Sequence, residues 1–264
     1  MMPPLFAGFF TLASLLGMQD PDSTTWFRQQ QALENPAAPG LLIIDVPYLT
    51  LQLRGEDRTD ILIEARYSSP KASSGPLLSD PLRSLRTEKA LNAVFWEMPK
   101  NNALLEARIR VPRAISLKVS GSNGGLITIE HVQGLLEVTN ANAGIALRDI
   151  SGGVVANTSN GPITASFQKV APDTPMSFIT ENAAIEVRFP AGLKATVHME
   201  TDNSGDLHSD FPITPSKTRL SPYYREKLPS GSQHRFVYGD IGGGGPIYRF
   251  QTSNNSIKII EEDP

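Results

Sequence analysis

Cysteine is absent from the chain. That excludes disulfide frameworks, thiol nucleophiles, cysteine-ligated zinc and a lipid anchor attached through an N-terminal cysteine. An excess of positive charge is also missing, since 24 Lys and Arg against 27 Asp and Glu leave a formal charge of -3. Binding to nucleic acid depends on clustered cations that neutralise phosphates, and the overall composition makes no case for it. The four histidines are scattered, and between residues 114 and 212 there is neither Trp nor Tyr. Sugar-cleaving enzymes need carboxylates as acid and base and often use aromatic platforms, so this gap weakens a carbohydrate-active reading. Neither G-x-S-x-G nor H-E-x-x-H occurs, which removes the common serine-hydrolase and zinc-protease signatures.

Long hydrophobic runs are confined to one place. Leu5 to Leu16 (LFAGFFTLASLL) is a compact apolar stretch followed by polar GMQDPDSTT. It has the length of a signal-peptide h-region and falls short of the roughly 20 residues that span a bilayer as a helix. No Lys or Arg precedes it and no A-x-A site follows it. The expectation is a signal peptide over 1–17, an exported protein in periplasm, cell surface or medium, and a mature chain without a transmembrane span. Residues 18–40, Gln-rich and ending in Pro and Gly, read as a leader or linker.

What the chain does have is turn residues and short apolar alternations. Gly and Pro number 21 each, and 264 residues are enough to build a core without disulfides or metal. From Leu41 the segments LLIIDV, LTLQLRG and DILIEARY predict two or three strands. The Pro- and Ser-rich stretch 68–84 predicts a surface excursion. AVFWEM, the turn PKNN and LLEARIRVP predict a hairpin.

From Ile115 onward a repeat sets in, with the core Thr-x-Asn-x-x-(Ile or Leu). It stands at Thr158 to Ile163, Thr180 to Ile185 and Thr252 to Ile257, with looser copies at Gly121 to Leu126, Thr139 to Ile145 and Thr201 to Leu207. Its asparagines 123, 142, 160, 182 and 203 are spaced by about 20 residues. Between them fall second turns, VQG at 132–134, ISGG at 150–153 and FPAG at 189–192. A strand–turn–strand–turn unit this small cannot bury its apolar face alone and must stack on its neighbours. Ile127/Ile129, Ile145/Leu147, Ile163/Ala165/Phe167 and Ile185/Val187/Phe189 alternate with period two and predict rows along a narrow core. Asn and Gly tolerate positive φ at tight corners, and Asn side chains one rung apart can hydrogen-bond in a ladder. The fold class expected is therefore all-β, a β-solenoid or closely related β-roll with rungs of about 20 residues.

The segments LTLQLRGEDRTDILIEARY, LLEARIRVPRAISLKVSGSNGGLITIEHVQGLLEVTNANAGIALRDISGGVVANTSNGPITASF, MSFITENAAIEVRFPAGLKATVHMETDNSGDLHSDFPI and GGGGPIYRFQTSNNSIKII together resemble the bacterial adhesin β-strand repeat proteins of unknown function, similar to autotransporter-type adhesin head domains. The resemblance covers about residues 41–262 as a single repeat domain. It implies a right-handed β-helix-like roll outside the cytoplasm and no catalytic residues to transfer. Residues 213–240 interrupt the pattern as a loop insertion.

Three stretches remain as candidate sites. TDNSGDLHSD (201–210) gathers Asp202, Asp206, Asp210 and His208, but lacks the ordered Asp spacing and terminal Glu of a calcium loop. GDIGGGGPI (239–247) lacks the Lys-Ser or Lys-Thr of a phosphate cradle. The insertion brings together Tyr223, Tyr224, Arg225, His234, Arg235 and Tyr238, residue types enriched at binding hot spots, and Tyr223, Tyr224, Arg225, Arg235 and Tyr238 form the expected partner-contact set. The alternative is that they cover one side or end of the roll, where the core would otherwise be exposed. No catalytic residue, metal or cofactor is expected. The functional expectation is an adhesin-like or scaffold protein of the bacterial envelope that binds a surface glycan or protein through its roll face or loops. A β-helical polysaccharide lyase or hydrolase stands second.

Overall fold

The computed structural model describes residues 26–69, 80–88, 91–98, 104–202, 205–216 and 235–262. The N-terminal section contributes β1 (Phe27–Ala32), β2 (Leu41–Asp45), β3 (Leu49–Glu56), β4 (Asp60–Ser69), β5 (Leu85–Glu88), β6 (Ala93–Glu97) and β7 (Leu104–Pro112). The repeat supplies β8 (Ser116–Gly121), β9 (Ile127–Glu130), β10 (Leu136–Asn140), β11 (Ile145–Ile150), β12 (Val154–Asn157), β13 (Ile163–Phe167), β14 (Met176–Ile179) and β15 (Ile185–Pro190). The last part adds β16 (Ala195–Thr201), β17 (Leu207–Ser209), β18 (Arg235–Ile241), β19 (Ile247–Thr252) and β20 (Ile257–Glu262). Every element among the described residues in this order is a strand, so the fold is all-β, and no described helix is long and apolar enough to cross a membrane.

The strands form two ten-stranded mixed sheets. The first runs β1-β4-β7-β3-β9-β11-β13-β15-β20-β17, and the second runs β18-β16-β19-β14-β12-β10-β8-β2-β6-β5. From β8 to β15 consecutive strands alternate between the sheets, and each of β8 to β13 pairs in parallel with the strand two further on. Each strand pair is one rung, and the two inner faces close on a shared core. The predicted rows are present in register: Leu51, Ile127, Ile145, Ile163, Ile185 and Ile257 lie opposite one another across successive strands. All six are buried to within 1%. Burying an aliphatic side chain contributes about 1.5–3 kcal/mol, so a row of this kind is the main force holding rung to rung. The facing rows become aromatic toward one end, where Phe167 stacks on Phe189 at 5.0 Å and Phe178 on Phe250 at 5.3 Å.

One expectation is corrected. The hairpin over AVFWEM and LLEARIRVP does not form: β6 lies in the second sheet, parallel to β2, and β7 lies in the first, parallel to β3. β6 buries its first four residues and β7 its alternate ones, so the two segments face the shared core from different sheets instead of pairing with each other. The final segment IYRFQTSNNSIKII does not extend the end of the stack. β19 inserts between β14 and β16, and β20 between β15 and β17. The N-terminal end is interleaved in the same way, with β2–β3 lying between β6–β7 and β8–β9.

Antiparallel strands cover the ends. The stretch read as a leader supplies β1, which pairs with β4, and β4 closes on β7. At the other end β18, from the insertion, runs antiparallel along β16, and Thr214 bridges to Asp240 on its far side. The signal segment 1–17 and residues 217–234 of the insertion lie outside the described residues.

Candidate binding surface

The repeat motif is an architectural corner. Asn142 donates its side-chain N–H to Asn123 Oδ1 (2.6 Å), Asn160 to Asn142 (2.8 Å), Asn182 to Asn160 (2.8 Å) and Asn254 to Asn182 (2.6 Å). The ladder anticipated from the spacing exists, but Asn254 follows Asn182 in it because the last rung is interposed; Asn203 lies outside the described residues. The threonine of the motif turns inward. Thr158, Thr180, Thr252 and Thr201 donate to the carbonyls of Ala143, Gly161, Ala183 and Asn255 at 2.9–3.1 Å, each one rung away. Asn140 takes the same place in the row, donating to the Gly125 and Gly144 carbonyls. These are buried polar groups that stay inside only because each finds a carbonyl left over at the adjacent corner.

The predicted contact residues are not one constellation. Tyr223, Tyr224, Arg225 and His234 lie outside the described residues. Arg235 and Tyr238 sit three positions apart on β18 and so project to opposite faces. Arg235 Nη1 meets Asp206 Oδ1 at 2.5 Å, beside His208, Asp210 and Lys258 at the end of the stack. Tyr238 lies on the outer face of the second sheet, its ring 6.4 Å from that of buried His198 and 6.5 Å from that of Phe236.

In the 201–210 loop His208 Nε2 hydrogen-bonds Asp210 Oδ1 at 2.8 Å. That bond, joined by the backbone N–H of Glu261, holds the Asp210 carboxyl below the usual range. Asp206 is engaged by Arg235, so the carboxylates of this loop are spread over different partners. Among the described residues no three His, Cys, Asp or Glu side chains are placed to hold a metal ion. The glycine run 242–244 is the turn between β18 and β19, with all three residues at positive φ (61°, 92° and 90°).

A surface that sequence reasoning did not single out lies on the outer face of the first sheet, over β7, β3, β9 and β11. Strand alternation drives Arg108 and Arg110, Gln52 and Arg54, Thr128 and Glu130, and Arg148 outward. Register then places Arg110, Arg54, Glu130 and Arg148 in one row, with Arg108, Gln52 and Thr128 in the next. Glu130 receives a hydrogen bond from Arg148 at 2.8 Å and approaches Arg54 at 3.7 Å. Arg110 lies 3.8 Å from Glu56, and Arg108 lies 3.6 Å from Glu106. Trp26 lies over this edge of the patch, with the guanidiniums of Arg66 and Arg108 at 4.6 and 4.5 Å from its ring centroid. The signal for the patch was present in the local strings QLR, RIR and LRD, but nothing local says that these strands become neighbours.

No protein-family model and no curated protein matches the chain. Among solved structures it is similar to a "putative cell adhesion protein" from Clostridium sporogenes, with 11% sequence identity and a TM-score of 0.42 over 90% of this chain and 100% of that one. What the protein does is therefore argued from its own side chains.

Proposed function

We propose that the protein is a non-catalytic, exported module of the bacterial cell envelope, adhesin-like or scaffolding, that binds a surface glycan or protein through an outer face of its coil. The coil is taken as a right-handed solenoid, the hand strongly favoured by parallel crossovers between strands. The observation that carries the reading is how the repeat uses its polar side chains. Its threonines and asparagines bond to one another's corners, and the outer strand faces are left with long charged side chains across a broad, shallow surface. Two carboxyls are held in the ionised form by their neighbours. Burial alone would raise the pKa of Asp60, but hydrogen bonds from Gln30 and Arg58 hold it below the usual range, and Asp210 is held low as well. A general acid needs the opposite shift.

Protease shaving of intact cells carrying a tagged copy, with permeabilised cells alongside, tests this reading. Cleavage on intact cells is the expected result. Protection until permeabilisation overturns the adhesin role and moves the protein to the periplasm.

A further inference from the structure

We propose that the groove on the outer face of the first sheet is a binding site for an acidic, uronate-type polysaccharide laid along the coil axis. The inference rests on the binding role proposed above and specifies its ligand. The groove encloses about 530 Å³ over β7, β3, β9 and β11. One of its rows reads Arg110, Arg54, Glu130, Arg148, four charged side chains on four adjacent strands with a single carboxylate among them. The row beside it, Arg108, Gln52 and Thr128, is rich in hydrogen-bonding groups.

Adjacent strands are about 4.8 Å apart, a spacing comparable to one sugar residue along an extended chain. A polymer with a carboxylate on its rings and hydroxyls between them matches both rows: guanidiniums pair with carboxylates, while Gln52 and Thr128 take the hydroxyls. The three arginines of the first row have side chains at least 50% exposed, so the donors not turned toward Glu130 or Glu56 are open to a ligand. Trp26 lies over Arg66 and Arg108 and restrains these long side chains before binding, which lowers the entropy lost when they engage. A polynucleotide fits less well. Its charge density is higher, and DNA offers few sugar hydroxyls to Gln52 and Thr128.

The experiment measures binding of the purified full chain to polygalacturonate, to neutral dextran and to a single-stranded oligonucleotide over a salt series. Polygalacturonate is expected to bind, to weaken as salt rises and to outcompete both other probes. Arg54→Ala with Arg110→Ala should weaken it about tenfold or more, while Lys118→Ala on the other sheet leaves it unchanged. Glu130→Gln supplies an outcome that misfolding cannot imitate: removing the one carboxylate of the row should tighten binding severalfold. Equal binding of dextran, tighter binding of the oligonucleotide, or no gain from Glu130→Gln overturns the proposal. Absence of binding combined with cleavage on intact cells removes the ligand and leaves the envelope role standing. Binding combined with protection in intact cells keeps the ligand and removes the adhesin role.

Discussion

Asn160 shows how much of this fold is held at single positions. It donates to Asn142 and accepts from Asn182, both at 2.8 Å, so its removal breaks the ladder twice. Asn160→Ala or Asn182→Ala is expected to cost about 1–2 kcal/mol in a denaturant titration, at roughly 0.5–1.5 kcal/mol net per hydrogen bond. Asn123, bonded from one neighbour only in the ladder, should cost less. Unchanged stability in both central variants would refute the corner account. Tyr248 makes the opposite case. Its hydroxyl is buried without a hydrogen-bond partner among the described residues, and burial pushes the phenol up to about 12 from 10.0. Because the folded state favours the neutral phenol, its contribution is complete below pH 10.0 and is lost as pH rises toward about 12. Wild-type stability should therefore fall across that window in alkaline denaturation. Tyr248→Phe should remove that part of the fall and cost nothing at neutral pH.

Among the elements, β19 and β20 carry the least expected burden. They lie near the end of the chain, yet each stands between two other strands of its sheet. Truncation after Gly245 should therefore do more than shorten the stack, since it exposes the facing edges of β14–β15 and β16–β17 and removes the stacking partners of Phe178 and Phe189. Loss of protection across residues 176–209 in hydrogen exchange is expected, with the strands before β12 retained. Deleting β1, an outer strand paired on one side, should be far milder. Corners impose a separate limit. A Cβ at Gly161 would stand 2.1–2.2 Å from the Ala143 carbonyl group on the adjacent rung. Gly161→Ala should cost roughly 2–3 kcal/mol by forcing two rungs apart, measurable as a drop in Tm.

At the scale of the whole molecule, the described residues form eight rungs stacked in the order β6–β7, β2–β3, β8–β9, β10–β11, β12–β13, β14–β15, β19–β20, β16–β17. A stack with mostly nearest-neighbour contacts is strongest where both neighbours are present. Amide protection should accordingly be highest through β9 to β15 and fall toward β1, β5 and β17; uniform protection would contradict this. Three of the four sheet edges are poor templates for further pairing. β5 (LRTE) is short and charged, β17 has three residues, and β18 is bridged by Thr214.

The repeat was legible in the sequence because its causes are local. Period-two alternation decides which of Ile127, Ile145, Ile163 and Ile185 face inward, and the Thr-x-Asn spacing places one side chain in the core and one on the ladder. Strand order at the ends was not legible. The same corner motif at Asn254 can sit on any rung, and only contacts between residues far apart in the chain, Ile185 on Ile257 and Phe178 on Phe250, select its place. The arginine groove is of the same kind. Sequence alternation determined that Arg54, Arg108, Arg110 and Arg148 point outward, while their assembly into adjacent rows depends on strand register, which is decided by packing across the whole core.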